Sequence, residues 1–207
     1  MYAVPSLDEG MSWAENTFGT EAAYGGEHVG LGTRNALMSL ENTYLEIIAP
    51  DPAQPLEGTF GEALAGLSKG GLVTWCAEDT LTEVANSLSA LDVSTSGPNR
   101  TRRQTTDGGI MEWELLFPSK SPFRSCMPFF IDWLDCENPK DTNPVAGQFQ
   151  SLSISNPSAD NLQKILNSIG LKVPVISGEP SLSISITGKK GEVILSSTTE
   201  TSAISIR

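Results

Sequence analysis

One local pattern occurs three times along the chain: a short strand, a capping residue, an amphipathic helix, then further strands. Copy one opens at Tyr2-Ala3-Val4. Ser6-Leu7-Asp8-Glu9 reads as a capping box, with a helix carrying Leu7, Met11, Trp13 and Ala14 to about Phe18. Copy two opens at Leu72-Val73-Thr74-Trp75-Cys76-Ala77, is capped at Thr80-Leu81-Thr82-Glu83, and presents Leu81, Val84, Leu88 and Leu91 on one helical face. Copy three opens with a strand from Phe149 to Ile154. Asn156 or Ser158 caps it, Pro157 suits the first turn, Leu162, Ile165, Leu166 and Ile169 give the apolar face, and Gly170 ends the helix.

Strand-like segments follow each helix. They lie near Ala22–Tyr24, Arg34–Leu40 and Thr43–Ala49 in copy one, and at Ile110–Phe117 and Met127–Trp133 in copy two. In copy three they lie at Val173–Ile176, Leu182–Thr187 and Glu192–Ser197. Alternation such as Leu182-Ser183-Ile184-Ser185-Ile186 marks a half-buried strand. Each unit is β-α-β-β-β in outline, which makes the chain α+β. The expected organisation is a paired-module domain over residues 1–137, with modules at 1–50 and 71–137. A third module follows over 148–197, then a C-terminal tail at 198–207. A short helix is expected at Phe60–Leu67, and a polar surface loop around a strand from Asp92 to Gly109.

Composition limits the partners. The 207 residues carry a net charge of -12, so the surface repels nucleic acid and anionic lipid. The basic cluster Arg100-Thr101-Arg102-Arg103 is the local exception, read as a solvated loop or an anchor for nearby acids. Cys76, Cys126 and Cys136 are odd in number and match no metal-binding spacing, which fits a reducing cytosol. The start Met1-Tyr2-Ala3-Val4-Pro5 lacks the basic and apolar regions of a signal peptide, and no apolar run approaches the roughly 20 residues of a membrane span.

The chemistry concentrates in copy one. Gly25-Gly26-Glu27-His28-Val29-Gly30-Leu31-Gly32-Thr33-Arg34-Asn35 holds the chain's single histidine, and Tyr44-Leu45-Glu46-Ile47-Ile48 places an acid inside an apolar strand. A charge there needs a partner or a task, because burying it unpaired is costly. Glu46 reads as a metal ligand, a general base, or the partner of Arg34 or Arg103 in a salt bridge. Phe129-Phe130-Ile131-Asp132-Trp133 interrupts an apolar run in the same way, so Asp132 is taken as the counterpart of Glu46, both facing one concavity. His28 is a hydrogen-bonding group, a ligand or a proton-transfer group. Arg34 either orients a carboxylate or dicarbonyl, or forms a structural ion pair. Trp75, Trp113, Trp133, Phe129 and Phe130 read as core or pocket wall. Gly30-Leu31-Gly32 leads into a strand rather than a helix, so it is no dinucleotide fingerprint. No phosphate-binding loop occurs, and one histidine among many serines does not favour a Ser-His hydrolase.

Together, the patterns Gly-Gly-x-His-x-Gly-x-Gly-Thr-x-Asn-Ala-Leu, Tyr-Leu-Glu-Ile-Ile-x-Pro-Asp-Pro, Gly-Gly-Leu-Val-Thr-Trp and Pro-Phe-Phe-Ile-Asp-Trp resemble the glyoxalase-like domain family. That family lies within the vicinal oxygen chelate (glyoxalase/bleomycin resistance/dioxygenase) superfamily, and the resemblance spans residues 2 to 197. It implies paired βαβββ modules forming a cupped mixed sheet with flanking helices. It also implies a divalent metal held by His and Glu ligands, with Glu46 as the acidic ligand. Relatives carry Asp-His just before the segment matching Tyr2-Ala3-Val4-Pro5, at a point where this sequence begins with Met1. An in-frame Asp-His upstream in the DNA would supply it. At the matching start of copy two stands Leu72, and Asn138-Pro139 replaces a His-Pro.

The site set on these grounds is Glu46 and His28 as catalytic groups, with Glu46 also as the metal ligand. Arg34, Asn35, Asp132, Trp75 and Arg103 are expected to contact substrate. The expected function is binding of a small oxygenated or apolar molecule in the cup, with lyase, isomerase or dioxygenase chemistry. The alternatives are sequestration without catalysis and a scaffold that has lost its chemistry. A homodimer is compatible with paired modules, and the cytoplasm is the expected compartment.

Overall fold

Ser6 begins the first helix because its backbone is extended and its hydroxyl accepts the Glu9 N–H at 3.5 Å. The helix α1 (Leu7–Phe18) buries Leu7, Gly10, Ala14 and Phe18, and stops at Gly19, whose left-handed backbone suits a residue without a side chain. Full burial of Leu7 and Phe18 stabilises the fold by about 1.5–3 kcal/mol each. A computed structural model of the chain describes residues 1–104, 110–119 and 121–205, and the side chains of 103 and 104 lie outside that description.

Two compact units result, the first made of Met1–Val73, Glu137–Leu152 and Ser183–Ile204, the second of Thr74–Cys136, Ser153–Leu182 and Ser205–Arg207. In the first unit, β1 (Tyr2–Ala3), β2 (Ala23–His28), β3 (Thr33–Ser39), β4 (Tyr44–Pro50) and β5 (Gly71–Leu72) form a sheet in the order β2-β3-β4-β1-β5. β1 runs parallel to β4, and the remaining pairs are antiparallel. The helix α2 (Phe60–Ala65) packs Leu64 against Ala3, Ile48, Leu67 and Val73. Gly61 allows this approach, since a Cβ there would run into the Gly32 carbonyl.

In the second unit, β6 (Cys76–Glu78), α3 (Leu81–Ser89), β7 (Thr95–Gln104), β8 (Ile110–Pro118) and β9 (Phe129–Asp132) repeat the plan, with strand order β6-β9-β8-β7. A 3₁₀ turn at Arg124–Cys126 precedes β9. The third module supplies β10 (Gly147–Ser155), α5 (Ala159–Ser168), β11 (Val175–Ile176), β12 (Ser181–Gly188) and β13 (Gly191–Ser196) after the short helix α4 (Pro139–Thr142). Its elements follow the βαβββ sequence, but its order β11-β10-β12-β13 departs from that of the other two modules. The helix α6 (Thr199–Ala203) closes the first unit, opened by a capping box between Thr198 and Thr201.

The fold is α+β as the repeat implied, with local corrections. The apolar run Leu72–Ala77 is two strands: Leu72 pairs antiparallel with Tyr2 in β5, and β6 starts only at Cys76. Leu72 is therefore not the first-strand residue of the second module. Thr80 makes no side-chain cap bond: the Glu83 N–H that its hydroxyl would accept goes instead to the Thr80 carbonyl at 3.0 Å. Pro157 precedes the helical turns, which begin at Ala159, and Asn156 caps the turn by accepting the Ser158 N–H at 2.9 Å. Gly170 does end α5, its N–H bonding Asn167 while Leu171 N–H reaches back to Leu166. The strand expected within the polar stretch Asp92–Gly109 is β7, which takes up Thr95–Gln104, while 105–109 lies outside the described residues.

Two outcomes are expected. Gly61→Ala should cost about 1–3 kcal/mol through overpacking, read as a fall in denaturant midpoint with the denaturant slope unchanged. The Glu200 carboxylate is held below its usual range by the Ser68 backbone N–H and then the Ser68 hydroxyl, at 2.9 and 2.7 Å. Its stabilisation of α6 is complete above the ordinary value of 4.5 and is lost as pH falls through the lowered one. The protection factor of the Ser68 amide, with the pH dependence of intrinsic exchange divided out, should fall on acidification, and Glu200→Gln should flatten that dependence.

Candidate functional site

Strand alternation sorts the residues of β3 and β4 onto two faces. Arg34, Ala36 and Met38 share one face. Ala36 stands opposite Ile47, which lies beneath α1: a Cβ on Gly10 would sit 3.0 Å from its Cγ2. Thr33, Asn35 and Leu37 take the other face, with Glu46 and Ile48 beside them on β4. The β2–β3 pairing sets His28 opposite Thr33, after a bulge between Tyr24 and Gly26.

Glu46, Asn35, His28 and Thr33 form one connected network on that face. Asn35 Nδ2 donates to Glu46 Oε1 at 2.7 Å and lies 3.3 Å from His28 Nε2. His28 Nδ1 and Thr33 Oγ1 are 3.0 Å apart, and His28 Nε2 stands 3.9 Å from Glu46 Oε1. Thr33 is fully buried and Asn35 is 5% exposed, whereas the side chains of His28 and Glu46 retain 23% and 13% of their exposure. The buried half of the network orients the half that solvent reaches. Asn35 Oδ1 is buried without a partner and lies over Gly25, where a Cβ would clash with it. The hairpin tip beside His28 is tied down by Gly61 N–H to Leu31 O at 2.9 Å and Gly30 N–H to Gln54 Oε1 at 3.0 Å.

The other expected site residues go elsewhere. Arg34 belongs to the helix face, where its nearest acid is Asp8 of α1 at 3.9 Å, so it neither pairs with Glu46 nor shares its face. It also opposes the upward push that burial and then Glu27 exert on the Tyr24 phenol. Asp132 is not the counterpart of Glu46. Phe129 stands beside Cys76 as Ile47 stands beside Tyr2, so one residue earlier Pro128 corresponds to Glu46, while Asp132 corresponds to Pro50. In the second unit the Asp132 carboxylate accepts the Leu134 N–H at 2.8 Å. Trp75 donates its indole N–H to the Cys126 carbonyl at 3.0 Å, a packing role. Arg103 pairs with Met111 along β7, and its side chain lies outside the described residues. Of the basic cluster, Arg100 reaches Glu114 at 3.4 Å and Glu112 at 3.8 Å, as an anchor for acids. Asn35 is the residue that sequence reasoning undervalued. Its signal was its place two residues from buried Leu37 on the face of Glu46.

The residues present do not fit a divalent metal. Among the described residues no cluster of three His, Cys, Asp or Glu side chains exists, whereas a catalytic site normally draws three protein ligands. The lone pairs of Glu46 Oε1 and His28 Nε2 that face each other are engaged by the Asn35 amide, a donor that repels a cation.

Module plan, strand order and a polar network on the sheet face opposite α1 define an α+β protein of vicinal oxygen chelate type. The chain belongs to the glyoxalase-like domain family, whose pattern matches residues 1–170. Its fold is similar to that of a hypothetical protein from Staphylococcus aureus. The TM-score is 0.59 at 17% identity, over 86% of this chain and 76% of that one. Methylmalonyl-CoA epimerase from Mycobacterium tuberculosis overlaps at a TM-score of 0.44 and 16% identity, over 63% of this chain and 81% of that one. Comparison with curated proteins gives no match. No helix among the described residues is long and apolar enough to cross a membrane.

Elemental analysis of the dialysed protein should find clearly less than stoichiometric divalent metal, unchanged by Glu46→Ala. One tightly held ion per chain, lost in that variant, would contradict the donor-set argument.

Proposed function

We propose that this glyoxalase-like protein binds a small oxygenated molecule over the Glu46–Asn35–His28 network and moves a proton with Glu46 as general base. The reaction class is isomerase or lyase, with the proton drawn from carbon next to a carbonyl. The observation that carries the reading is the asymmetry of Glu46: one oxygen is held at 2.7 Å by Asn35, and the side chain keeps 13% of its exposure. A base needs both features, a fixed carboxylate and an accessible oxygen. Ring-cleaving dioxygenase chemistry fits less well, because it calls for a metal that these donors do not suit. The site's partner is a small molecule; the acidic chain disfavours nucleic acid and anionic membranes. The reading is set in a reducing cytoplasm because Cys76, Cys126 and Cys136 are odd in number and match no metal-binding spacing.

Sequestration without turnover is the second reading, favoured by the lack, among the described residues, of a further acid clustered with Glu46 and His28. Solvent-deuterium incorporation into a neutral α-hydroxyketone such as dihydroxyacetone separates the two. The wild-type protein should catalyse exchange, and Glu46→Gln should lose about 10²–10⁴-fold of it. Binding without exchange supports sequestration, and equal exchange by Glu46→Gln removes Glu46 as the base.

A further inference from the structure

The network determines the polarity of its own ligand. A carboxylate can only accept, so the 2.7 Å contact with Glu46 Oε1 fixes the Asn35 amide with nitrogen toward the acid. The reversed amide would set two acceptor oxygens against each other at that distance. The same nitrogen lies 3.3 Å from His28 Nε2, and its second N–H makes that ring atom an acceptor. The ring proton then sits on Nδ1 and is donated to Thr33 Oγ1 at 3.0 Å, inside the fully buried end of the network. Every N–H of the Asn35 and His28 side chains is thereby used within the protein.

What remains unpaired accepts. Among the described residues Glu46 Oε2 has no partner, and Asn35 Oδ1 is buried without one. The surrounding charge has the same sense: Arg34 is the only Arg or Lys within β1–β4, and it lies on the helix face beside Asp8. The chain as a whole carries -12. A carboxylate brought to this face would meet a carboxylate with no cation between them.

We infer that the site takes a hydrogen-bond donor, a neutral or cationic molecule with a hydroxyl or amino group, and rejects carboxylates. The inference rests on the small-molecule reading above and names its ligand class.

The test is an NMR titration of the full chain at about pH 8, above the range in which imidazole ordinarily titrates. Three probes share a ring and differ in head group: benzyl alcohol, benzylamine and benzoate. The alcohol and the amine should shift the backbone amides of His28, Asn35 and Glu46 saturably, with benzoate weaker by at least about tenfold, since juxtaposed like charges cost several kcal/mol. Glu46→Leu should remove the donor-induced shifts. Glu46→Gln, which keeps the shape and an acceptor oxygen, should weaken the amine more than the alcohol and guards against a folding defect in the leucine variant. Benzoate binding as tightly as the donors overturns the inference and leaves the small-molecule site standing. Donor shifts that survive in Glu46→Leu overturn it as well. If no probe perturbs β2–β4, the small-molecule reading fails and the inference fails with it.

Discussion

The antiparallel register of β3 against β4 is the constraint on which everything else depends. It sets Leu37 opposite Glu46 and Ala36 opposite Ile47, and alternation then assigns each side chain to the α1 face or to the face of the polar network. A slip of one residue would exchange the faces, sending Glu46 under α1 and Ile47 to the face of the polar network. Burial of Ala36, Leu37, Met38, Leu45, Ile47 and Ile48 penalises that slip, so the apolar core holds the polar network in place. Thr33 and Asn35 inherit this rigidity and pass it to His28 and Glu46.

Much of this was legible in the residues. Capped amphipathic helices and alternating strands are local signals, and they located α1, α3, α5 and nearly every long strand. The acid inside Tyr44-Leu45-Glu46-Ile47-Ile48 marked the site because a charge in an apolar strand has few harmless explanations. What could not be read was long-range. The equivalence of Asp132 with Glu46 failed because like-looking strings, Leu45-Glu46-Ile47 and Ile131-Asp132-Trp133, sit four residues apart once each strand is aligned to its own first strand. Leu72 to Ala77 looked like one strand because nothing local reveals that Leu72 pairs with Tyr2 while Cys76 pairs with Phe129.

Arg34 and Asn35 make the same point at adjacent positions. Next to each other in sequence, they part to opposite faces, and the one with the conspicuous charge leaves the site. The amide left behind is the more consequential group. Held by a carboxylate on one side and an imidazole on the other, it fixes both and gives up its donors in doing so. A metal site and a hydrogen-bonded carboxylate are alternative uses of the same acid, and the donor set of this chain favours the second.

Because His28 is the chain's only histidine, its ring nitrogens can be observed without assignment ambiguity. A long-range ¹H–¹⁵N spectrum of the uniformly labelled protein at about pH 8 reads the tautomer directly. The network described here requires a protonated Nδ1 and an unprotonated, hydrogen-bonded Nε2. A ring protonated at Nε2, or one averaging between tautomers as free imidazole does, would contradict it.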